Sequence, residues 1–91
     1  MTAPRGAILS ARETAKLGLL GTIAAANQAG TRPSKADLSR GLASKTRAGR
    51  YQQLDQMIHR GLLVNLSETV AAYALVVTPA GLAEIDRWEQ A

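Results

Sequence analysis

The stretch from Ser34 to Gly81 is divided by its own residues into short elements whose order leaves few folds open. Arg32-Pro33 breaks the chain, and Ser34 with Asp37 three residues later offers an N-cap and a first-turn acid for a short helix, read as Lys35 to Arg40 with Ala36 and Leu38 inward. Gly41 makes a turn and Leu42 is placed to plug the angle between two helices. Ser44 is read as the cap of a longer helix that runs to about Arg60 and is stopped by Gly61 in the left-handed region. Along that helix Tyr51, Leu54 and Ile58, joined by Met57, recur at helical spacing and define a buried face. Leu62 to Leu66 and Tyr73 to Val77 read as the two strands of a hairpin, with Tyr73, Leu75 and Val77 on one face by the period of two. Thr78 then caps a last helix with Pro79 at its first position, where the missing N–H is harmless, and Leu82, Ile85 and Trp88 give it one apolar stripe.

Upstream, Ser10 and Glu13 have the spacing of a capping box, so a first helix is expected from there, with Leu17, Leu20, Ile23 and Ala24 inward and Gly30 as its stop. Gly18 and Gly21 weaken this helix, and they either permit close helix packing or are tolerated on its surface. Residues 1–9, with Pro4 and Gly6, read as a flexible arm that could pack at Ile8 and Leu9. A minor third strand is left open between Ile8-Leu9 and Arg32. The whole chain has 91 residues, which suits one domain over 10–91 and one core. With no Phe, one Trp and two Tyr, that core must be built from Leu, Ile, Val and Ala.

Composition removes several function classes. There is no Cys, and His59 has no second imidazole with which to share a metal, so neither a metal site nor a cofactor is expected. His59 reads as structural, no Ser or Thr has a base to activate it, and the glycines follow no phosphate-loop order, so an enzyme is not expected. No leader-like or membrane-length apolar run is present, which gives the expectation of a cytoplasmic protein. The net charge of +4 is polarised: residues 1–60 hold ten Lys/Arg against Glu13, Asp37 and Asp55, whereas residues 61–91 hold Arg87 against Glu68, Glu84, Asp86 and Glu89. A positive field over the first two thirds attracts a polyanion to that side.

The basic residues concentrate where a groove-reading helix would need them. When Tyr51, Leu54 and Ile58 face inward, Lys45, Gly49, Gln52 and Gln56 fall on the opposite face, with Ala48 and Gln53 beside them. Lys suits guanine O6 and N7, Gln can pair bidentately with adenine, and small residues admit the helix backbone to the bases. Arg47 and Arg50 point sideways, toward phosphates at the groove edge, with a base as the alternative for Arg50. Ser44 and Thr46 lie at the helix start, where hydroxyls and free N–H groups favour phosphate. Lys35 and Arg40 are assigned to the flanking backbone. No acid occurs between Leu38 and Leu54. The candidate contact set is therefore Lys35, Arg40, Ser44, Lys45, Thr46, Arg47, Gly49, Arg50, Gln52 and Gln53.

The run QLDQMIHRGLLVNL, residues 53–66, resembles the end of the recognition helix and the first wing strand in small bacterial winged-helix regulators of the MarR and PadR type. LVVTPAGLAEI, residues 75–85, is similar to their second wing strand and following helix. The resemblance implies a mainly α winged helix-turn-helix with a small β-hairpin wing. It also implies sequence-specific binding of double-stranded DNA through residues 44–60, as in a bacterial transcriptional regulator or repressor associated with the nucleoid when bound. Unlike many such wings, Ser67 to Ala72 carries Glu68 and no Arg or Lys, so contact by the wing tip is not expected. The long extra helices through which MarR-like proteins dimerise do not appear before Ala91, so a homodimer is expected through the first helix, the last helix or the wing region. No effector pocket is indicated. RYQQLDQM, residues 50–57, is also similar to a helix in plasmid and phage maintenance proteins and in the DNA-orienting domain of DNA translocases, which keeps replication, segregation or transfer as an alternative. A winged helix used for protein contacts through Leu82, Ile85 and Trp88 is the other rival, and RNA binding a lesser one for want of exposed aromatics.

Overall fold

The computed structural model describes residues 11–67 and 74–89. In chain order these form α1 (Ala11–Gln28), α2 (Lys35–Leu38), α3 (Ser44–His59), β1 (Leu63–Asn65), β2 (Leu75–Val77) and α4 (Pro79–Glu89). The protein is thus mainly helical with one small antiparallel hairpin, in the order and types that the sequence suggests. The expectations placed on Ser10, on the arm with Ile8 and Leu9, on the hairpin tip from Glu68 onward and on Tyr73 lie outside the described residues. Among the described residues no helix is long and apolar enough to cross a membrane.

The apolar spacing in each helix sets what it buries. From α1 come Leu19, Leu20, Ile23 and Ala24; from α3 come Leu54 and Met57; Leu62, Leu63, Leu75 and Val77 complete one cluster, with Leu17, Leu38, Ile58 and Ile85 packed around it. Leu20, Ile23, Leu54, Met57, Leu63 and Leu75 are fully enclosed. Each such side chain contributes roughly 1.5–3 kcal/mol of transfer free energy, so these six dominate the apolar driving force. Tyr51 and Ile58 are half-buried, and Ile58 packs against the core from its margin. Gly30, Gly41 and Gly61 all take positive φ, at 91°, 84° and 80°, which is what turns the chain after α1, α2 and α3. Gly18 and Gly21 do not bring another helix close, because open space surrounds the position of a Cβ at each.

The hairpin pairs Leu63 with Val77, Val64 with Val76 and Asn65 with Leu75. Leu63, Leu75 and Val77 point into the core, and Val64 and Val76 face away. Both strands are shorter than the apolar runs suggest, and Asn65 gives one reason. Its Oδ1 accepts hydrogen bonds from the backbone N–H of Ser67 at 3.0 Å and of Ala74 at 2.8 Å, and Leu66 N–H donates to the Ala74 carbonyl at 2.9 Å. A side chain thereby closes the ladder one step above β1.

No third strand is found among the described residues; the sheet has two. The outer edge of β2 is satisfied instead by other groups. Asn27, in the last turn of α1, accepts from Val77 N–H through Oδ1 at 2.9 Å and donates from Nδ2 to the Leu75 carbonyl at 3.1 Å and to the Thr31 carbonyl at 3.0 Å. Pro33 supplies a carbonyl to Leu75 N–H at 3.0 Å. One carboxamide therefore offers the acceptor and donor that a neighbouring peptide unit would offer.

Thr78 joins the hairpin to α4. Its hydroxyl donates to the Gly61 carbonyl at 2.6 Å and accepts from Gly81 N–H at 3.0 Å, while its own N–H donates to the Leu62 carbonyl at 3.1 Å. The first turn of α4 consequently sits so close to the chain after α3 that a Cβ on Gly81 would overlap the Leu62 carbonyl oxygen and a Val77 methyl.

Asn27→Ala should leave Val77 N–H without its part-buried acceptor, at a cost of about 1–3 kcal/mol. In a domain of this size each kcal/mol lowers Tm by roughly 4–8 °C. Thermal unfolding of this variant beside Gln28→Ala, an exposed neighbour, is the check, with the Gln28 variant melting near the parent protein.

Candidate nucleic-acid interface

The candidate surface is built on α2, the turn after it and the outer face of α3. α2 starts with a complete capping box: Ser34 Oγ accepts from Asp37 N–H and Asp37 Oδ2 accepts from Ser34 N–H, both at 3.0 Å. Arg40 Nη2 donates to Asp37 Oδ1 at 2.8 Å. The Ser34 backbone N–H first, then the Ser34 hydrogen bond to the side chain, and the charge and hydrogen bond of Arg40, hold the Asp37 carboxyl below its ordinary value.

α2 ends at Leu38, two residues earlier than its composition suggests, and its faces differ from the sequence reading. Ala36 is exposed, whereas Lys35 is buried at 7% exposure. The Lys35 ammonium pairs with Asp55 and lies 5.2 Å from the centre of the Tyr51 ring. Lys35 therefore leaves the set of phosphate contacts. A long aliphatic stem covers apolar surface as well as a leucine does when its charged end meets a carboxylate and an aromatic face, and Asp55 and Tyr51 provide both one turn apart on α3. Sequence reasoning missed this cluster. Its available signal was Asp55 itself, the single acid of α3, four residues after a tyrosine on the inward side.

The turn between the helices is fixed by α3's own arginines. Arg50 Nη1 donates to the Leu38 carbonyl at 2.7 Å, satisfying one of the carbonyls left open where α2 stops, and Arg50 is half-buried. Arg47 Nη2 donates to the Leu42 carbonyl at 3.2 Å from an exposed position. Both guanidinium groups are thus engaged with the preceding turn, and Arg50 in particular points back toward α2 instead of out to a base. A guanidinium carries five N–H donors, so Arg47, which is exposed, keeps others for an anion.

Ser44 does not cap α3. The N-cap is Ala43, whose extended backbone (φ −65°, ψ 157°) leads in from the turn, and it supplies no side-chain hydrogen bond. The first backbone bond of the helix runs from Arg47 N–H to the Ala43 carbonyl at 2.8 Å, and no acid lies in the first turn. The positive end of α3 is left open in a neighbourhood that holds Arg40, Lys45 and Arg47.

On the outer face, Ser44, Lys45, Thr46, Arg47, Ala48, Gly49, Gln52 and Gln56 are exposed and Gln53 is half-buried. A shallow, open hollow of about 350 Å³ is lined by Thr46, Gly49, Arg50, Gln52, Gln53 and Gln56. Of the ten sequence candidates, the structure brings Ser44, Lys45, Thr46, Arg47, Gly49, Gln52 and Gln53 onto α3's exposed side, sets Arg40 at the adjoining turn beside Asp37, and turns Arg50 and Lys35 to structural contacts. Among the described residues no group of three His, Asp or Glu side chains is arranged to hold a metal ion. No protein family, curated protein or solved structure matches this chain.

The depressed Asp37 carboxyl fixes the sign of one pH effect. A group held below its unfolded value, here 3.8, contributes fully above that pH and loses its contribution as pH falls through the folded-state value. Asp37→Asn should therefore lower stability at neutral pH, and the difference from the parent protein should shrink as pH falls below 3.8 and vanish below the depressed folded-state value, measured by urea unfolding across the acid range.

Proposed function

We propose that this chain is a winged helix-turn-helix protein that binds double-stranded DNA, with α2 and α3 as the helix-turn-helix, α3 in the major groove, and the β1–β2 hairpin as the wing. The observation that carries this reading is the exposed side of α3. It is acid-free from Ser44 through Leu54, contains Gly49 and Ala48 where a base edge must come close, and begins in an uncapped helix end flanked by Arg40, Lys45 and Arg47. Helix dipole, backbone N–H groups and these cations together suit phosphate, while the glutamines suit base edges. The biological setting that fits best is a small cytoplasmic transcriptional regulator; maintenance or transfer of plasmid or phage DNA is the alternative use of the same surface. Neither use needs a cofactor or a catalytic residue.

One recognition helix spans only a few base pairs, so two copies on a repeated or two-fold site would supply discrimination. α4 offers a place for the second copy. Leu82 is 47% exposed beside a hollow between α1 and α4 that is lined by Gly21, Ala25, Gln28 and Ile85. The same surface could instead take an unlike protein, and the sedimentation experiment below separates the two.

Lys45 is exposed and makes no hydrogen bond or ion pair with another described residue, so its replacement tests the interface with little effect on the fold. Lys45→Ala should bind duplex DNA more weakly with an unchanged melting temperature. If it meets a phosphate, the slope of log affinity against log salt falls by about one, as read by mobility shift against single-stranded DNA and RNA of equal length. Sedimentation at micromolar concentration should show a dimer that Leu82→Glu converts to monomer; a parent protein that stays monomeric with and without duplex rejects the dimer and leaves the DNA contact standing.

A further inference from the structure

The hydrogen-bonding groups left over on α3 are mostly neutral. Arg40 is held by Asp37, Arg47 by the Leu42 carbonyl, Arg50 by the Leu38 carbonyl and Lys35 by Asp55. By contrast, none of the carboxamides of Gln52, Gln53 and Gln56 makes a hydrogen bond to another described residue. All three border the shallow hollow on this helix, and Gln52 and Gln56 are fully at the surface, one helical turn apart. Between them and the start of the helix, Gly49 has no atom from outside its own stretch of helix backbone within 4 Å of the place a Cβ would occupy, which leaves room for a base edge to approach the backbone.

A carboxamide presents one acceptor and one N–H donor side by side in a plane. In the major groove adenine presents the complement, an N6 donor beside an N7 acceptor, whereas guanine presents two acceptors, O6 and N7, and can satisfy only the donor half. The exposed methyl of Ala48 adds an apolar contact of the kind a thymine methyl accepts. Residues four apart on a helix are separated by about 6 Å along its axis, and successive base pairs by about 3.4 Å, so two such side chains address positions roughly two pairs apart.

Resting on the reading of α3 as a major-groove helix, we propose that its specificity is for adenine: Gln52 and Gln56 each pair with the N6/N7 edge of an adenine, about two base pairs apart, with an A·T pair favoured beside the Gln52 contact on the side of the helix start, where Ala48 lies. Lys45 and Arg47, at the helix start, hold the helix on the backbone and contribute little to sequence choice.

Selection from a pool of 20-bp duplexes with a randomised centre tests the assignment. The parent protein is expected to enrich sites with two adenines at the stated spacing, and 7-deaza-adenine at either position, which removes the N7 acceptor, should weaken binding about tenfold. Gln52→Arg, at an exposed position that the fold does not use, is expected to change one of the two selected bases to guanine and leave the other as adenine. Duplex binding with G·C-rich sites, with no selected sequence, or with no change of preference in Gln52→Arg overturns the adenine assignment while leaving the major-groove reading intact. A parent protein that binds no duplex at micromolar concentration overturns both.

Discussion

The fold depends on how the outer edge of β2 is finished. A two-stranded hairpin is barely stable alone, because half of its backbone groups face away from the ladder and only one face can be buried. Here the edge is brought against the end of α1, where the Asn27 carboxamide stands in for a peptide unit and the Pro33 carbonyl takes the remaining N–H. That arrangement allows Leu75 and Val77 to sit against Leu20 and Ile23 with no polar group stranded between helix and strand. It also fixes the chain at Thr31 to Pro33, so α2 leaves from a defined point. The point from which α2 departs is thus set where Asn27 and Pro33 meet β2.

The charges divide into two kinds on the same helix pair. Those near the α2–α3 angle are used internally: Lys35 lies under Tyr51 against Asp55, and Arg50 reaches back to the end of α2. They orient α3 relative to α2 and so determine which of its residues can project. Lys45 at the start of α3 and the carboxamides farther along are free of such duty. Among the described cations of this helix pair and its turn, only Lys35 and Arg40 are offset by a carboxylate, whereas Arg47 and Arg50, bonded to neutral carbonyls, keep their charge. Attraction of a polyanion and choice among sequences fall to different residues, the first to the helix start and its cations, the second to the amides.

Periodicity and punctuation made the elements legible. Gly30, Gly41 and Gly61 mark turns that only positive φ can make, Thr78-Pro79 marks a helix start, and the spacing of Leu54 and Met57 finds the buried side of α3. The exposed side of α3 follows from the same wheel, and Lys45, Gly49 and Gln52 were accessible for that reason. What could not be read is the part that depends on contacts between distant segments. Asn27 looks like an ordinary helix end until β2 is placed beside it 50 residues later in the chain. Lys35 looks like a surface cation because its partner lies on another helix, and Ala36 takes the solvent side that Lys35 gives up. Ser44 has the composition of a cap, but Gly41 and the extended Ala43 bring the chain into helix one residue sooner.

Asn65 gives the hairpin a collar: its Oδ1 gathers the N–H groups of Ser67 and Ala74 just after Leu66 and Ala74 make the last backbone bond. Among the described residues, the backbone pairing of β1 with β2 ends at that level. Joining two strand ends held in this way costs a loop-closure entropy that grows by about 0.6 kcal/mol for each doubling of the connection's length. Asn65 is in this sense a clasp: one side chain of β1 fixes the separation at which the two strands part, directly beside the core that holds α3 in place.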